Sequence, residues 1–186
     1  MKVLLGVTGS AGTTEINEFI SAFQAAGYEV KVVATKNAMY FLRGKFPLAV
    51  EFWGDKTEWV GNAYKVNQSV SHIELGNWAE VLVVAPLSAN TLAKFANGLC
   101  DNLLTNIFRS WNFNKPVVFA PEMNVWMWQN VFTTIHLTTL AQFQRGNGKK
   151  TIEVIQPISC TQGDALHYLM PDGRYIVGVL RALETK

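Results

Sequence analysis

Cysteine is nearly missing from this sequence, which has only Cys100 and Cys160. Two thiols cannot make a disulfide framework, so the fold is expected to stand without one, in a reducing compartment such as the cytoplasm. Charge is also sparse. Sixteen basic residues face fourteen acidic ones, for a net charge of +2, and no block of one sign occurs. That argues against nucleic acid or an anionic membrane surface as a partner. No apolar run approaches the roughly 18 residues of a membrane span. Met1-Lys2-Val3-Leu4-Leu5 leads straight into a strand pattern, so no cleaved leader is expected. The three histidines (His72, His136 and His167) show no metal-ligand spacing with the cysteines, and there is no Walker loop and no G-x-S-x-G elbow.

Apolar residues are plentiful, at 49% of 186 positions, enough to bury a large core in one domain spanning 1–186. Short apolar runs at 2–8, 29–34, 80–85, 117–120 and 152–155 read as buried strands. Between them lie amphipathic stretches at 15–26, 36–42, 71–78, 89–111, 130–143 and 176–184, with Gly98 a joint inside the fourth. This alternation predicts an α/β fold: a doubly wound parallel sheet, Rossmann- or flavodoxin-like, with helices on both faces. Leu48 to Phe52 is a candidate short strand. Trp53, Trp59 and Tyr64 mark the rest of 43–70 as a functional connection or an interface. Residues 145–150 read as a turn and 156–174 as irregular.

Three turns at strand ends carry chemistry. Gly6-Val7-Thr8-Gly9-Ser10-Ala11-Gly12 offers backbone N–H groups at a helix start, with hydroxyls at Ser10, Thr13 and Thr14, and suits an anion. Its spacing is not G-x-G-x-x-G, and the second strand ends Val33-Ala34-Thr35-Lys36 without a carboxylate for a ribose diol. That disfavours NAD and leaves a mononucleotide phosphate, against the alternative of an ordinary tight turn. In Pro86-Leu87-Ser88-Ala89-Asn90-Thr91, Ser88 is a natural helix N-cap. Pro121-Glu122-Met123-Asn124-Val125-Trp126-Met127-Trp128 holds far more bulk than turn chemistry asks for. It follows a strand that the proline is expected to stop, and it either plugs the core or walls a ligand. Three such turns at one sheet edge favour a shared, flat, aromatic ligand. Taken singly, the three histidines read as satisfied surface or core residues and Cys100 as a small core residue. Cys160, in a polar stretch, reads as an accessible thiol.

Pro121-x-Met123-Asn124-x-x-Met127-Trp128 matches in full the P-x-M-N-x-x-M-W motif of the homo-oligomeric flavin-containing cysteine decarboxylases. Pro86-Leu87-Ser88-Ala89-Asn90-Thr91 resembles their P-A-S-A-N-T motif, and Val3 to Ser10 their opening strand and FMN phosphate turn. Ser71-His72-Ile73-Glu74-Leu75 is similar to the segment with their active-site histidine. Gly98 to Thr105 is similar to a helix of the phosphopantothenoylcysteine decarboxylases among them. The resemblance implies a homotrimer with FMN between subunits. It also implies conversion of 4′-phosphopantothenoylcysteine to 4′-phosphopantetheine and CO2 in coenzyme A biosynthesis. Decarboxylation there follows oxidation of the thiol carbon to a thioaldehyde, and the resulting ene-thiolate is then reduced. By position, His72 is the active-site histidine, Asn124 and Met127 meet the substrate, and Cys160 donates a proton in the reduction. Gly9, Ser10, Thr35, Phe41, Ser88, Ala89, Asn90, Thr91 and Met123 hold FMN, and Trp128 joins the wall around it. Other branches of the resemblance are a peptidyl-cysteine decarboxylase, a regulatory or mixed-trimer subunit, and a flavin prenyltransferase.

Overall fold

The fold rests on a parallel sheet buried on both faces. The computed structural model describes residues 1–43, 50–58, 69–143, 148, 150–162 and 165–185. Its strands are β1 (Lys2–Val7), β2 (Glu29–Ala34), β3 (Glu51–Gly54), β4 (Val81–Leu87), β5 (Val117–Pro121), β6 (Met123–Asn124), β7 (Ile152–Val154), β8 (Ile158–Gln162) and β9 (Ala165–Leu169). Its helices are α1 (Ile16–Ala25), α2 (Lys36–Leu42), α3 (Asp55–Glu58), α4 (Ser71–Trp78), α5 (Ala89–Asn97), α6 (Leu103–Arg109), α7 (Val125–Trp128), α8 (Val131–Leu140) and α9 (Gly173–Glu184). A 3-10 turn, Ala11–Glu15, precedes α1.

Six strands pair in the order β3-β2-β1-β4-β5-β7, all parallel. The chain winds outward from β1 to β3, then returns to the other side of β1 with β4. The order therefore reverses between β1 and β4, and the turns that leave those two strands splay apart into a crevice at their carboxyl ends. Continuous apolar strands are what such burial requires, and every residue of β4 is buried.

Alternate strand residues serve two cores. Val3, Leu5 and Val83 pack with Phe19 and Phe23 of α1 and Ile176 and Leu180 of α9. Leu4, Leu82 and Phe119 pack with α4, α5 and α6 through Leu75, Phe95 and Phe108. The rings of Phe95 and Phe108 stack with centroids 4.1 Å apart, and Phe119 lies 5.5 Å from Phe95. Phe119→Ala removes a fully buried ring from this stack and is expected to destabilise the fold by about 3–5 kcal/mol, read from urea unfolding.

Four expectations need correction. The sheet has a sixth strand, β3, which begins at Glu51 among the described residues and overlaps the expected strand only at its end. Trp59, Tyr64, Leu48 and the turn residues 145–147 and 149 lie outside the described residues. The stretch 156–174 is not irregular: β8 and β9 form a hairpin, joined by β6 in an antiparallel sheet of order β6-β9-β8. These strands mix polar and apolar residues because their stability comes from cross-strand partners, which sequence periodicity does not report. β5 ends at Pro121 as expected, but the proline is its last paired residue rather than the first beyond it. It pairs opposite Leu87, and the next N–H, from Glu122, donates to the Leu87 carbonyl at 3.0 Å. Cys100 is exposed, since it sits in the short link between the C-cap of α5 and the N-cap of α6. Gly98 makes that joint at φ 68°, a left-handed conformation that glycine takes without strain.

Candidate cofactor and substrate site

The crevice between β1 and β4 opens into a cavity of about 630 Å³. That is a volume typical of small-molecule sites. The first turn contributes Gly9, Ser10 and Gly12, α2 contributes Asn37 and Phe41, and the start of α5 contributes Ser88, Ala89 and Asn90. Met123, Asn124 and Met127 line it from the Met/Trp loop, and His167 and Tyr168 from β9. An adjoining polar cleft of about 210 Å³ shares Gly9, Asn37, Ser88 and Asn90 and adds Thr35, Lys36, Thr91 and Lys94. Eleven expected positions thus converge here. His72 and Cys160 line neither space.

Local chemistry shapes these turns. Thr8 ties them together across the crevice. Its hydroxyl donates to the Pro86 carbonyl at 2.7 Å and accepts from the Ser88 N–H at 2.7 Å. Ser88 caps α5, its hydroxyl accepting from the Thr91 N–H at 3.3 Å, and lines the cavity as well, so its capping and site roles coincide. At Gly9, an added Cβ would lie 2.5 Å from the Asn37 Cβ, so the turn needs glycine to approach α2 this closely. Asn124 caps α7 by accepting from the Met127 N–H at 2.9 Å. Its carbonyl oxygen is therefore committed, which leaves its NH2 group as the donor to a ligand.

Glu122 is the functional residue that sequence reasoning missed. Its side chain is buried beneath the cavity. One carboxylate oxygen accepts from the Gly12 N–H at 2.6 Å and from the Ser10 hydroxyl at 2.7 Å. The other accepts from the Met170 N–H at 3.4 Å. The Thr13 hydroxyl turns inward to the Thr8 carbonyl, and the exposed Thr14, which lines the cavity, donates to the Ala11 carbonyl. Of the first turn's backbone N–H groups, that of Gly12 is thus taken by the Glu122 carboxylate. Nearby Glu15 also lines the cavity. Burial, then the charges of Glu122 and Glu18, raise its carboxyl above the ordinary glutamate range.

The Met/Trp loop divides its labour. Met123 and Met127 reach the cavity, while Trp128 packs against the core and lies 5.7 Å from the Tyr168 ring, so it is not part of the wall. Trp126 is 78% exposed. Pairing within the small sheet sets Asn124 opposite His167, and His167 opposite Cys160. Directly opposed residues share a face of an antiparallel sheet. The row Asn124-His167-Cys160 therefore connects the cavity to the thiol. His167, read from sequence as a satisfied residue, stands in its middle, and only the strand pairing reveals this.

His72 occupies the second position of α4, beside α3 and α6. Its Nδ1 bonds the carboxylate of Glu58. Beside the cavity, a groove of about 600 Å³ runs between Ala89, Ala93, Trp126, Phe132 and His136. Phe132, which lines it, is 64% exposed, as is the adjacent Val131.

Residues 1–183 match the model of the family described as Flavoprotein. The chain belongs to the Flavoprotein family. It is 45% identical over 140 residues to a rice (Oryza sativa subsp. japonica) protein named phosphopantothenoylcysteine decarboxylase, a match that spans 75% of this chain and 63% of that protein. Among solved structures it resembles a PPC decarboxylase cysteine-to-serine mutant complexed with pantothenoylaminoethenethiol. That likeness has TM-score 0.88 and 38% identity, and covers 100% of this chain and 98% of the other. The FMN binding protein AtHal3 is similar at TM-score 0.86 and 39% identity, covering 100% and 97%.

Proposed function

We propose that this chain is an FMN-dependent decarboxylase of 4′-phosphopantothenoylcysteine, working in the cytoplasm as a homotrimer with the cofactor at the subunit junction. The observation that carries this reading is the convergence of Asn124, Met123 and Met127 with the β1 and β4 turns on one cavity at the sheet's switch point. Family membership and the named relatives point the same way.

The residues present suit a flavin mononucleotide. Phe41, Met123 and Met127 offer apolar walls to a flat ring. The smaller cleft suits a polyol and a phosphate: Thr35, Asn37, Ser88, Asn90 and Thr91 offer hydrogen bonds, Asp55 and Asp101 can accept from polyol hydroxyls, and Lys36 supplies positive charge, Lys94 being paired with Asp101. When bound, FMN supplies the two-electron oxidation of the substrate's thiol carbon and its later reduction. The Asn124 NH2 group donates to the substrate carboxylate and fixes its orientation. Met127 keeps water from the reacting carbon. Cys160, on β8 opposite the His167 that lines the cavity, gives its proton to the carbon of the ene-thiolate. His72 handles the proton at the thiol, and because it stands outside this chain's cavity, it serves the cavity of a neighbouring copy. The exposed apolar side chains of Trp126, Val131, Phe132 and Ile135 beside the cavity supply a surface for that copy.

Four measurements test this. The purified protein is expected to be yellow, with a flavin absorption spectrum. The product of 4′-phosphopantothenoylcysteine is expected to have lost CO2 alone; a further loss of two hydrogens points to the peptidyl-cysteine type, and no turnover by the FMN-bound protein to a regulatory subunit. Cys160→Ser is expected to release the product two hydrogens short, and a wild-type product from that variant removes Cys160 from the reduction. Phe132→Glu is expected to yield monomers by sedimentation and to weaken FMN binding at least tenfold.

A further inference from the structure

We propose that Glu58 is the positioning residue of His72: its buried carboxylate holds the imidazole with the proton on Nδ1, so that Nε2 is the nitrogen presented to substrate. The inference rests on the proposed role of His72 and adds a residue to it.

The short helix α3 behaves as a bracket. Asp55 at its start accepts the Leu103 N–H at 3.1 Å, which pins α6. The Thr57 carbonyl accepts the Ser71 hydroxyl at 2.8 Å, which pins α4. Glu58 enters the space between, where only 1% of its side chain is exposed. One of its oxygens meets His72 Nδ1 and also accepts from the Asn106 amide of α6 at 3.4 Å. Its other oxygen is buried with no hydrogen-bond partner among the described residues. A carboxylate is costly to bury, and one with half its acceptor capacity unused costs more. A glutamate kept only to link two helices would do as well at the surface.

The geometry gives the burial a purpose. A carboxylate on Nδ1 selects the tautomer that carries its proton there. The lone pair is then on Nε2, and the ring cannot rotate without breaking the bond. A carboxylate behind a working imidazole plays this part in hydrolytic triads. The start of α4, a positive dipole end with no side-chain cap of its own, favours the Glu58 carboxylate beside it. One fifth of the His72 side chain (21%) stays exposed, so the outer nitrogen remains accessible.

The test uses the full-length, FMN-loaded protein with Glu58→Leu, Glu58→Gln, His72→Asn and the double variant Glu58→Leu/His72→Asn. Glu58→Leu is expected to lower kcat about 100-fold, the size of effect seen when an outer partner of a working histidine is lost, with KM within about twofold of wild type. The double variant is expected to be no slower than His72→Asn alone, because both changes remove one function. Independently of activity, nitrogen-15 NMR is expected to show His72 protonated on Nδ1 in the wild type, and no longer held so in Glu58→Leu. Glu58→Gln keeps the shape and an acceptor oxygen and is expected to retain the tautomer with about tenfold lower kcat. If Glu58→Leu does not fold, this variant and its combination with His72→Asn carry the same comparison. The proposal fails if Glu58→Leu turns over at the wild-type rate while His72→Asn does not. Losses that multiply in the double variant, or a wild-type His72 protonated on Nε2, also overturn it. Wild-type turnover by His72→Asn would instead remove the role proposed for His72, and the NMR comparison would still decide whether Glu58 holds the ring.

Discussion

His72→Asn is expected to stop decarboxylation, with kcat reduced about 1,000-fold or more, while FMN binds as tightly as in the wild type. Loss of a positioned acid or base costs roughly 10²–10⁴-fold. Asparagine fills a similar space but cannot take up a proton. His72 lines neither space that would receive FMN from its own chain, and in the neighbouring cavity it is assigned to the substrate's thiol, so cofactor affinity should be spared. Anaerobic product assays with flavin titrations check both halves. Wild-type turnover would remove His72 from the chemistry. A parallel loss of FMN would make its role structural.

The second large effect is expected at Glu122. Glu122→Leu leaves the Gly12 and Met170 N–H groups without their acceptor and the Ser10 hydroxyl with only the backbone carbonyl of residue 122. An unmet buried donor costs roughly 1–3 kcal/mol, so a total of about 3 kcal/mol or more is expected in urea unfolding. FMN affinity should fall more than tenfold, because the carboxylate sets the shape of the turn that floors the cavity. Glu122→Gln keeps one acceptor oxygen and should lose about half as much stability. Gly12 fits the same picture: an added Cβ would reach the Met170 Cε at 2.8 Å. An unfolding midpoint and FMN affinity equal to wild type in Glu122→Leu would mean that the turn holds its shape unaided.

Glu122 also marks the limit of reading the chain in one dimension. The anion preference of the first turn was legible, because glycine and small hydroxyl residues between a strand and a helix leave N–H groups open. That Glu122 takes the Gly12 N–H was not. Glu122 lies 110 residues from Gly12 in the chain, and no local pattern couples the two. Glu58 escaped for the same reason, being linked across 14 residues to His72 and 48 to Asn106. The Met/Trp loop shows the opposite case. Its excess of bulky residues was visible, and two of its positions, Met123 and Met127, do line the cavity. Which tryptophan faces the core and which faces outward depended on the Tyr168 strand that packs beside it.

By itself, the sequence determined the parallel α/β architecture, the Gly98 break, and the set of turns that meet at one sheet edge. Buried strands and amphipathic helices have periods of their own, and a chain that alternates them has few ways to wind. Tertiary structure alone decided the β6-β9-β8 sheet, the row from Asn124 through His167 to Cys160, and the burial of Glu122 and Glu58. Those features depend on pairings between distant segments. The energy of a cross-strand contact or a buried carboxylate exists only once both partners are in place.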